Sequence, residues 1–347
     1  MQSRMPCLVV GMLSLLFSNL TGAQDYVWTE IVIPGGVLQA WGLNDNGQVA
    51  LSTTDGMSGI YENGTFTPLP PPPQGLQVGA LGINNDGAIT GVAVSDAGTR
   101  QGFILRGSTY TLFARLGWDN TEGRAIANSE LITGDNFSTD GSRSAGFIYD
   151  PSTDTFTDAT PPGSINTITQ GMNIFGRITG HGLEPSGIGR YAFVWQQRAI
   201  IEGNRELLPF LDRLKIGAAG AATRGINDSG VVVGFTNNPD GTNDGFVGSD
   251  ARGYQRLVPP GGEMPGNSTI CEGINNSAQV VCEVNDSTGN TLGAFIGSPS
   301  EWEGNVNSSS HPASRRAIAG SSDAAEWTNK PSEESIIPTT QHRWPLP

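Results

Sequence analysis

The sequence has 347 residues with a formal net charge of −14, 48 glycines, 22 prolines and a hydrophobic fraction of 37%. Such an acidic surface argues against nucleic acid and anionic membranes as partners. Short apolar runs between many glycines and prolines are typical of a chain with many short strands and many turns.

The first 23 residues have the organisation of a secretory signal peptide. Arg4 precedes a mainly apolar run over 7–17, and small residues over 21–23 stand where a signal peptidase reads. The run is too short to cross a bilayer, which needs about 20 residues. We therefore expect residues 1–23 to be removed, a mature chain that starts near Gln24, and a secreted protein without a membrane span.

A ten-residue motif recurs six times in the rest of the chain. Its copies read GLNDNGQVAL, GINNDGAITG, AIANSELITG, GMNIFGRITG, GINDSGVVVG and GINNSAQVVC, and start at Gly42, Gly82, Ala125, Gly171, Gly225 and Gly273. The starts lie 40 to 54 residues apart, which is the period range of propeller blades and of some solenoid repeats.

Each repeat has the parts of four strands, as the second copy shows. Residues 79–84 and 88–94 flank an Asn-Asp-Gly hairpin turn, and two further short runs follow over 103–107 and 109–117. An aromatic residue recurs on the predicted third strand, where a large ring would fill the layer between neighbouring sheets. These aromatics are Phe103, Phe147, Phe193, Phe246 and Phe295, with Ile60 or Tyr61 in the first copy.

Four strands in each of six repeats predict an all-β fold, a six-bladed β-propeller over residues 24–300. A linear β-solenoid and a pair of sandwiches are the alternatives. The sixth repeat lacks a fourth strand, whereas residues 26–36 (YVWTEIVIPGG) match the end of the fifth repeat (GYQRLVPPGG). Only a ring needs this permutation, so we expect the N-terminal strand to complete the last blade. Glycines at the tenth motif position fit crowded strands near the axis; they are Gly91, Gly134, Gly180 and Gly234.

The last repeat contains the two cysteines that remain once Cys7 leaves with the signal peptide. Cys271 and Cys282 lie on either side of the sixth hairpin turn, so their side chains can face each other across the two strands. An even pair in an exported protein predicts a structural disulfide. The pattern ends after residue 300, and the composition of 301–347 predicts a disordered polar tail.

The copies GINNDGAITG and GINDSGVVVG, with the later YAF and GAF, resemble the bacterial extracellular HAF-repeat family. Its units read roughly Ile-Asn, Gly-x-Val-Val-Gly and His-Ala-Phe. The resemblance covers about residues 26–297 and implies a secreted repeat protein without an established activity. The family histidine is absent here, because Tyr191 or a glycine or serine stands before each aromatic residue.

Few residues point to catalysis or to a cofactor. Of three histidines, His181 alone lies within the repeats, which is too few for a zinc or copper site, and we interpret it as a loop residue. No nucleophile elbow and no phosphate-binding loop is present. Asp240, Thr242 and Asp244 partly copy a calcium loop, but Ala251 stands where a bidentate glutamate belongs, so turn chemistry is the favoured interpretation.

Paired carboxylates are the remaining route to catalysis, because glycoside hydrolysis needs only two acids about 5 to 9.5 Å apart. Six acids break the repeat consensus, although drift predicts such departures as well. They are Glu122, Glu130, Asp135, Glu184, Glu272 and Glu283.

Two functions follow. The first is a secreted binding or scaffold module for an extracellular glycan or protein, without a cofactor. The alternative is a carbohydrate-active enzyme that uses an Asp/Glu pair in the central channel. The sequence shows no defined site and therefore favours the first.

Overall fold

The structure is a computed structural model. It describes residues 25–300 apart from 185–189, 197–199, 203–204, 208–209, 215 and 217–219. The expected signal peptide (1–23) and polar tail (301–347) lie outside the described residues. Over the part that is described, no helix is long and apolar enough to cross a membrane.

The chain forms six four-stranded antiparallel sheets, here called blades 1 to 6. The first strand is β1 (Tyr26–Glu30). Blade 1 contains β2 (Val37–Leu43), β3 (Val49–Thr53), β4 (Ser58–Glu62) and β5 (Thr65–Pro68). Blade 2 contains β6 (Leu76–Ile83), β7 (Ile89–Ser95), β8 (Arg100–Arg106) and β9 (Thr109–Phe113). Blade 3 contains β10 (Asn120–Ile126), β11 (Ile132–Phe137), β12 (Ser144–Asp150) and β13 (Thr155–Asp158).

The second half repeats this order with one insertion. Blade 4 contains β14 (Thr167–Met172), β15 (Ile178–Leu183), β16 (Arg190–Gln196) and, after the small hairpin β17 (Ile200–Glu202) and β18 (Arg205–Leu207), β19 (Phe210–Arg213). Blade 5 contains β20 (Ala221–Ile226), β21 (Val232–Asn237), β22 (Asn243–Ser249) and β23 (Gly253–Leu257). Blade 6 contains β24 (Ser268–Ile274), β25 (Val280–Asn285), β26 (Thr291–Pro299) and β1. The inserted hairpin accounts for the longest spacing between motif copies, which runs from Gly171 to Gly225.

The N-terminal strand closes the ring, as the sequence predicts. β1 pairs antiparallel with β26, with Tyr26 opposite Pro299 and Glu30 opposite Phe295. Beyond the strand, Ile31 and Ile33 pack with Val281 of blade 6 and with residues of blade 1 in a single core cluster. The six-bladed β-propeller is therefore confirmed, together with its closure by the first strand.

The third-strand aromatics fill the layers between blades, also as predicted. Phe103 of blade 2 packs with Ala50 and Ile60 of blade 1, and Phe246 of blade 5 packs with Ala192 of blade 4. In blade 1 the residue with this role is Tyr61, which packs with Val281 of blade 6. Ile60 instead faces blade 2, because successive side chains of a strand alternate between its faces.

The predicted disulfide joins Cys271 and Cys282, which lie directly opposite each other on β24 and β25. Both residues are fully buried. In a chain-entropy account, a loop of this length gives roughly 3 kcal/mol of stability. The bond therefore strengthens the blade that the first strand completes.

The tenth-position glycines are required for a reason that differs from the sequence-based interpretation. A Cβ atom on Gly91 would lie 1.9 Å from the carbonyl oxygen of Gly79, and one on Gly134 would lie 1.9 Å from that of Glu122. The crowding thus comes from the first strand of the same blade. Close approach between blades occurs at the first motif position, where a Cβ on Gly42 would lie 2.9 Å from the Cα of Gly82.

The third motif position carries the interaction that joins one blade to the next. Its asparagine accepts hydrogen bonds at Oδ1 from backbone N–H groups of its own turn, as Asn44 does from Asn46 and Gln48. Its Nδ2 donates to the backbone carbonyl at the same position of the next blade. Five such bonds run around the axis, here called the asparagine ring: Asn44 to Asn84, Asn84 to Ala127, Asn173 to Asn227, Asn227 to Asn275 and Asn275 to Asn44.

The fourth motif position adds a second set of bonds in the same direction. The backbone N–H of Asp45 donates to the side chain of Asn85, and that of Asn276 donates to the side chain of Asp45, which completes the circle from blade 6 to blade 1. Between blades 3 and 4 both sets are interrupted. The side chain of Ala127 has no N–H group to donate, and the side chain of Ile174 has no oxygen to accept a hydrogen bond.

Deletion of residues 26–36 is predicted to lower the melting temperature by many degrees, because blade 6 loses its outer strand and the seam loses Ile31 and Ile33. Circular dichroism melts of the mature chain and the deletion variant measure this. A peptide of residues 25–36 added in trans should restore part of the loss. An unchanged melt would refute closure by this strand.

Replacement of Ala127 by Asn is predicted to stabilise the protein by about 1 kcal/mol, because the new side chain can cap its own turn and donate to the carbonyl of Asn173. Urea unfolding measures the change. Ala127→Asp is the matched control, since it has the same shape and the capping oxygen but no N–H to donate. Equal stability of the two variants would contradict the role given to the inter-blade bond.

Candidate functional site

The residue before the first motif position points into the central channel in each copy. In blades 2 to 6 it is the extra residue of a β-bulge in the first strand, and in blade 1 the irregular stretch contains Trp41. Bulges re-aim a side chain and are common beside functional sites. These six channel residues are of five types and line a cavity of about 90 Å³: Trp41, Leu81, Arg124, Gln170, Arg224 and Glu272.

On one side of the channel, Arg124 is held by two carboxylates of blade 3. Its Nη2 lies 2.7 Å from Glu122 and its Nε lies 2.8 Å from Asp135. Arg100 of blade 2 contacts the other oxygen of Glu122 at 2.6 Å. Burial raises the pKa of Asp135 while Arg124 lowers it. Burial lowers the pKa of Arg124, but Asp135 and Glu122 outweigh it, so the guanidinium stays charged.

On the opposite side, Arg224 and two glutamates of blades 5 and 6 come together. Arg224 Nε lies 3.6 Å from Glu272, and Glu283 accepts a hydrogen bond from the backbone N–H of Ala40 in blade 1. Burial raises the pKa of Glu272, against the lowering effect of Arg224. Burial and then the charge of Glu272 raise the pKa of Glu283 well above its ordinary value.

The structure brings four of the six candidate carboxylates into the interior, in two pairs. Glu122 and Asp135 are opposite each other on β10 and β11, and Glu272 and Glu283 belong to blade 6. The other two lie at the surface, where Glu130 contacts Arg106 at 3.1 Å and Glu184 contacts Arg213 at 3.0 Å.

Three arginines that accompany the buried carboxylates are not among the residues that the sequence singled out. They are Arg100, Arg124 and Arg224. Sequence reasoning could have found two of them, Arg124 and Arg224, since both occupy the position before the first motif residue, where the six copies carry five residue types.

The other sequence candidates do not form a site. His181 lies within β15, with Ile168 and Ala192 opposite it on the flanking strands, so it is a strand residue and not the expected loop residue. Asp240 accepts hydrogen bonds from the N–H and hydroxyl of Thr242, and Asp244 pairs with Arg256 at 2.7 Å. Turn chemistry accounts for this stretch. Within the described ranges, no three acidic, histidine or cysteine side chains are grouped to hold a metal.

The two ends of the propeller differ in chemistry. Because the strands of a blade alternate in direction, the turns after the first and third strands lie at one end, here called the turn face. The turns after the second strand and the connections between blades lie at the other end, here called the loop face. Nine large apolar side chains are exposed among the described residues, and six belong to the loop face: Val32, Met57, Leu116, Ile165, Met264 and Leu292.

Two aromatic–arginine pairs also stand on the loop face. The guanidinium of Arg143 lies 4.7 Å from the ring centre of Trp118, and that of Arg213 lies 4.2 Å from the ring centre of Tyr191. The Tyr191 hydroxyl is fixed by a hydrogen bond with Ser164. Aromatic and arginine side chains are the residues that most often dominate binding energy at interfaces.

Replacement of Glu283 by Gln is predicted to remove part of the pH dependence of stability. The folded-state pKa of Glu283 lies above its ordinary value of 4.5, so the wild-type protein loses stability as pH rises from about 4.5 through the raised pKa. Glutamine stays neutral and can still accept from Ala40. Urea unfolding between pH 5 and 8 should therefore show a shallower decline for Glu283→Gln.

The exposed Glu130→Gln serves as control for this experiment and should keep the wild-type slope. Identical slopes for Glu283→Gln and the wild type would contradict the burial of a titrating carboxyl at this position.

Comparisons with known proteins give no family. No family model and no curated protein matches the sequence. Among solved structures, the chain is similar to virginiamycin B lyase from Staphylococcus aureus, with 10% identity over 79% of this chain and 99% of that chain and a TM-score of 0.46. It is also similar to YCF48 from Cyanidioschyzon merolae, with 9% identity over 78% and 98% and a TM-score of 0.47. It is similar as well to the Aleuria aurantia lectin, with 11% identity over 80% of this chain and 99% of that chain and a TM-score of 0.40.

Proposed function

We propose that the protein is a secreted binding module that holds an extracellular glycan or protein on its loop face. The observation that carries this proposal is the unequal distribution of exposed apolar side chains. Six of the nine in the described chain lie on the loop face, whereas Ile174 is the one on the turn face. Apolar side chains that collect on one face of an otherwise polar surface are typical of an interaction site.

The loops are also held in defined shapes before any ligand binds. Asp140 accepts hydrogen bonds from Ser138 and Ser142, which lower the pKa of its carboxyl to about 2. Prolines constrain several connections, including residues 70–73 and 259–260. A loop that is already ordered loses less conformational entropy when it binds a ligand. A rigid scaffold that presents such loops suits binding.

Export and family membership belong to the same proposal. The disulfide fits an oxidising compartment, and the segment over 1–23 has the organisation of a signal peptide. The resemblance to HAF repeats stays a prediction. Intact-mass measurement of the protein recovered from culture medium tests export, since the mature chain should begin near Gln24.

The alternative, a carbohydrate-active enzyme in the channel, has less support. The two neighbouring acids with raised pKa, Glu272 and Glu283, favour it. However, Glu122 and Asp135 are engaged by arginine. The cavity of about 90 Å³ is also small beside the roughly 300–1,000 Å³ of ordinary ligand pockets. These observations favour binding at the surface over chemistry in the channel.

Leu116→Asp and Met264→Asp are predicted to weaken ligand binding at least tenfold, because each places a charge in an apolar contact. The ligand is first identified with the mature wild-type protein, on a glycan array and by pull-down from culture supernatant. Dissociation constants are then compared by calorimetry.

Ile174→Asp on the turn face is the control and should bind as the wild type does; its side chain is 44% exposed, close to the 56% of Met264. If all three variants bind equally well, the loop face is not the binding surface. If neither the array nor the pull-down returns a ligand, the binding function itself is refuted.

A further inference from the structure

Arg224 is the least satisfied charged group in the channel. Its side chain is 6% exposed, and Nε makes no hydrogen bond within the described part of the chain. The 3.6 Å separation from Glu272 exceeds the 2.7–3.2 Å of a hydrogen bond. Arg124, by contrast, is held by two close carboxylate contacts at 2.7 and 2.8 Å.

The surroundings of Arg224 fix its guanidinium group without satisfying it. The ring centres of Trp41 and Phe235 lie 5.9 and 5.3 Å from its central carbon. These rings orient the plane of the guanidinium, but they accept no conventional hydrogen bond from its edge. A buried donor without an acceptor costs about 1–3 kcal/mol, and more when it is charged. A guanidinium fixed in this way is prepared for a planar acceptor.

A second donor lines the same cavity. Gln170 is 6% exposed, and its side-chain amide makes no hydrogen bond to the residues that the structure describes. Arg224 and Gln170 therefore both line the cavity without a side-chain hydrogen bond to the described residues.

The size of the space limits what could bind. The cavity of about 90 Å³ has room for only a few small heavy-atom groups or waters. A planar oxyanion of three or four heavy atoms has a similar volume, whereas a sugar ring is too large. A carboxylate also matches the two parallel N–H groups of a guanidinium edge.

We propose that the central channel contains a binding site for a small carboxylate, held by the guanidinium of Arg224 with the amide of Gln170 donating to the same anion. The site is separate from the loop face and does not depend on the ligand bound there. Glu272 lies beside the anion and weakens its binding while ionised. The channel thus has a structural ion network on the blade 3 side and a ligand site on the opposite side.

Sodium acetate is the probe. Thermal melts of the mature wild-type protein at pH 7 should show a saturable rise in melting temperature with acetate that sodium chloride of equal ionic strength does not give. In Arg224→Gln the acetate concentration at half-effect should rise at least tenfold. Arg143→Gln, which removes an arginine of the loop face, is the matched control and should respond as the wild type does.

Arg224→Lys keeps the positive charge and covers the case in which Arg224→Gln fails to fold. It should bind acetate several-fold more weakly, because lysine lacks the two-pronged edge, and Glu272→Gln should bind it more tightly. A crystal structure in acetate should show a planar four-atom group against Arg224. Water alone at this position, or an acetate response equal to that of chloride, would overturn the proposal. Neither result bears on ligand binding at the loop face.

Discussion

Each motif asparagine acts in two directions, and this double use constrains the rest of the propeller. Its Oδ1 holds the turn of its own blade, as in Asn227 with Val231, while its Nδ2 reaches the backbone of the next blade. Both bonds need the same side-chain orientation, so the first strand of every blade must reach the axis at the same height and angle. The close packing of Gly42 on Gly82 follows from this, because larger residues would separate the turns.

The number of blades and their closure could be predicted because both rest on local patterns. Strand periodicity and turn residues show four strands per repeat, and the missing last strand could be matched to residues 26–36. The disulfide was predictable because Cys271 and Cys282 flank a short hairpin. The residues that line the channel could not be predicted. A bulge breaks the alternation of side chains along the first strand, so a residue such as Arg224 cannot be assigned to a face from its spacing. The close approach of Gly91 to the carbonyl oxygen of Gly79 could not be predicted either, because it depends on how the bulged first strand pairs with the second.

A division of labour between the two ends of the ring follows from these constraints. The turn face is occupied by bonds that join the blades, so its residues are restricted by geometry. The loop face also has bonds between blades, such as that from the N–H of Ser144 to the side chain of Asn166. Its turns, however, are capped by their own side chains, as with Asp140 and Ser142, so residues at their tips can change at little cost to the ring. Residues such as Leu116 and Trp118 can therefore serve recognition. In the channel, the variation between blades is largest at the one residue before the first motif position.

The interruption between Ala127 and Asn173 also means that the blades are not joined equally strongly around the turn face. The seam of the ring is the place where the first and last strands meet, and here it joins β1 to β26. Here a core cluster shared by blades 6 and 1 and the Glu283 contact to Ala40 reinforce that seam. The weakest joint on the turn face thus lies about half-way around the circle from the chain ends. Blades 3 and 4 are instead joined nearer the middle of the sheets, where the hydroxyl of Thr169 bonds with Thr133 and with the carbonyl of Gly134.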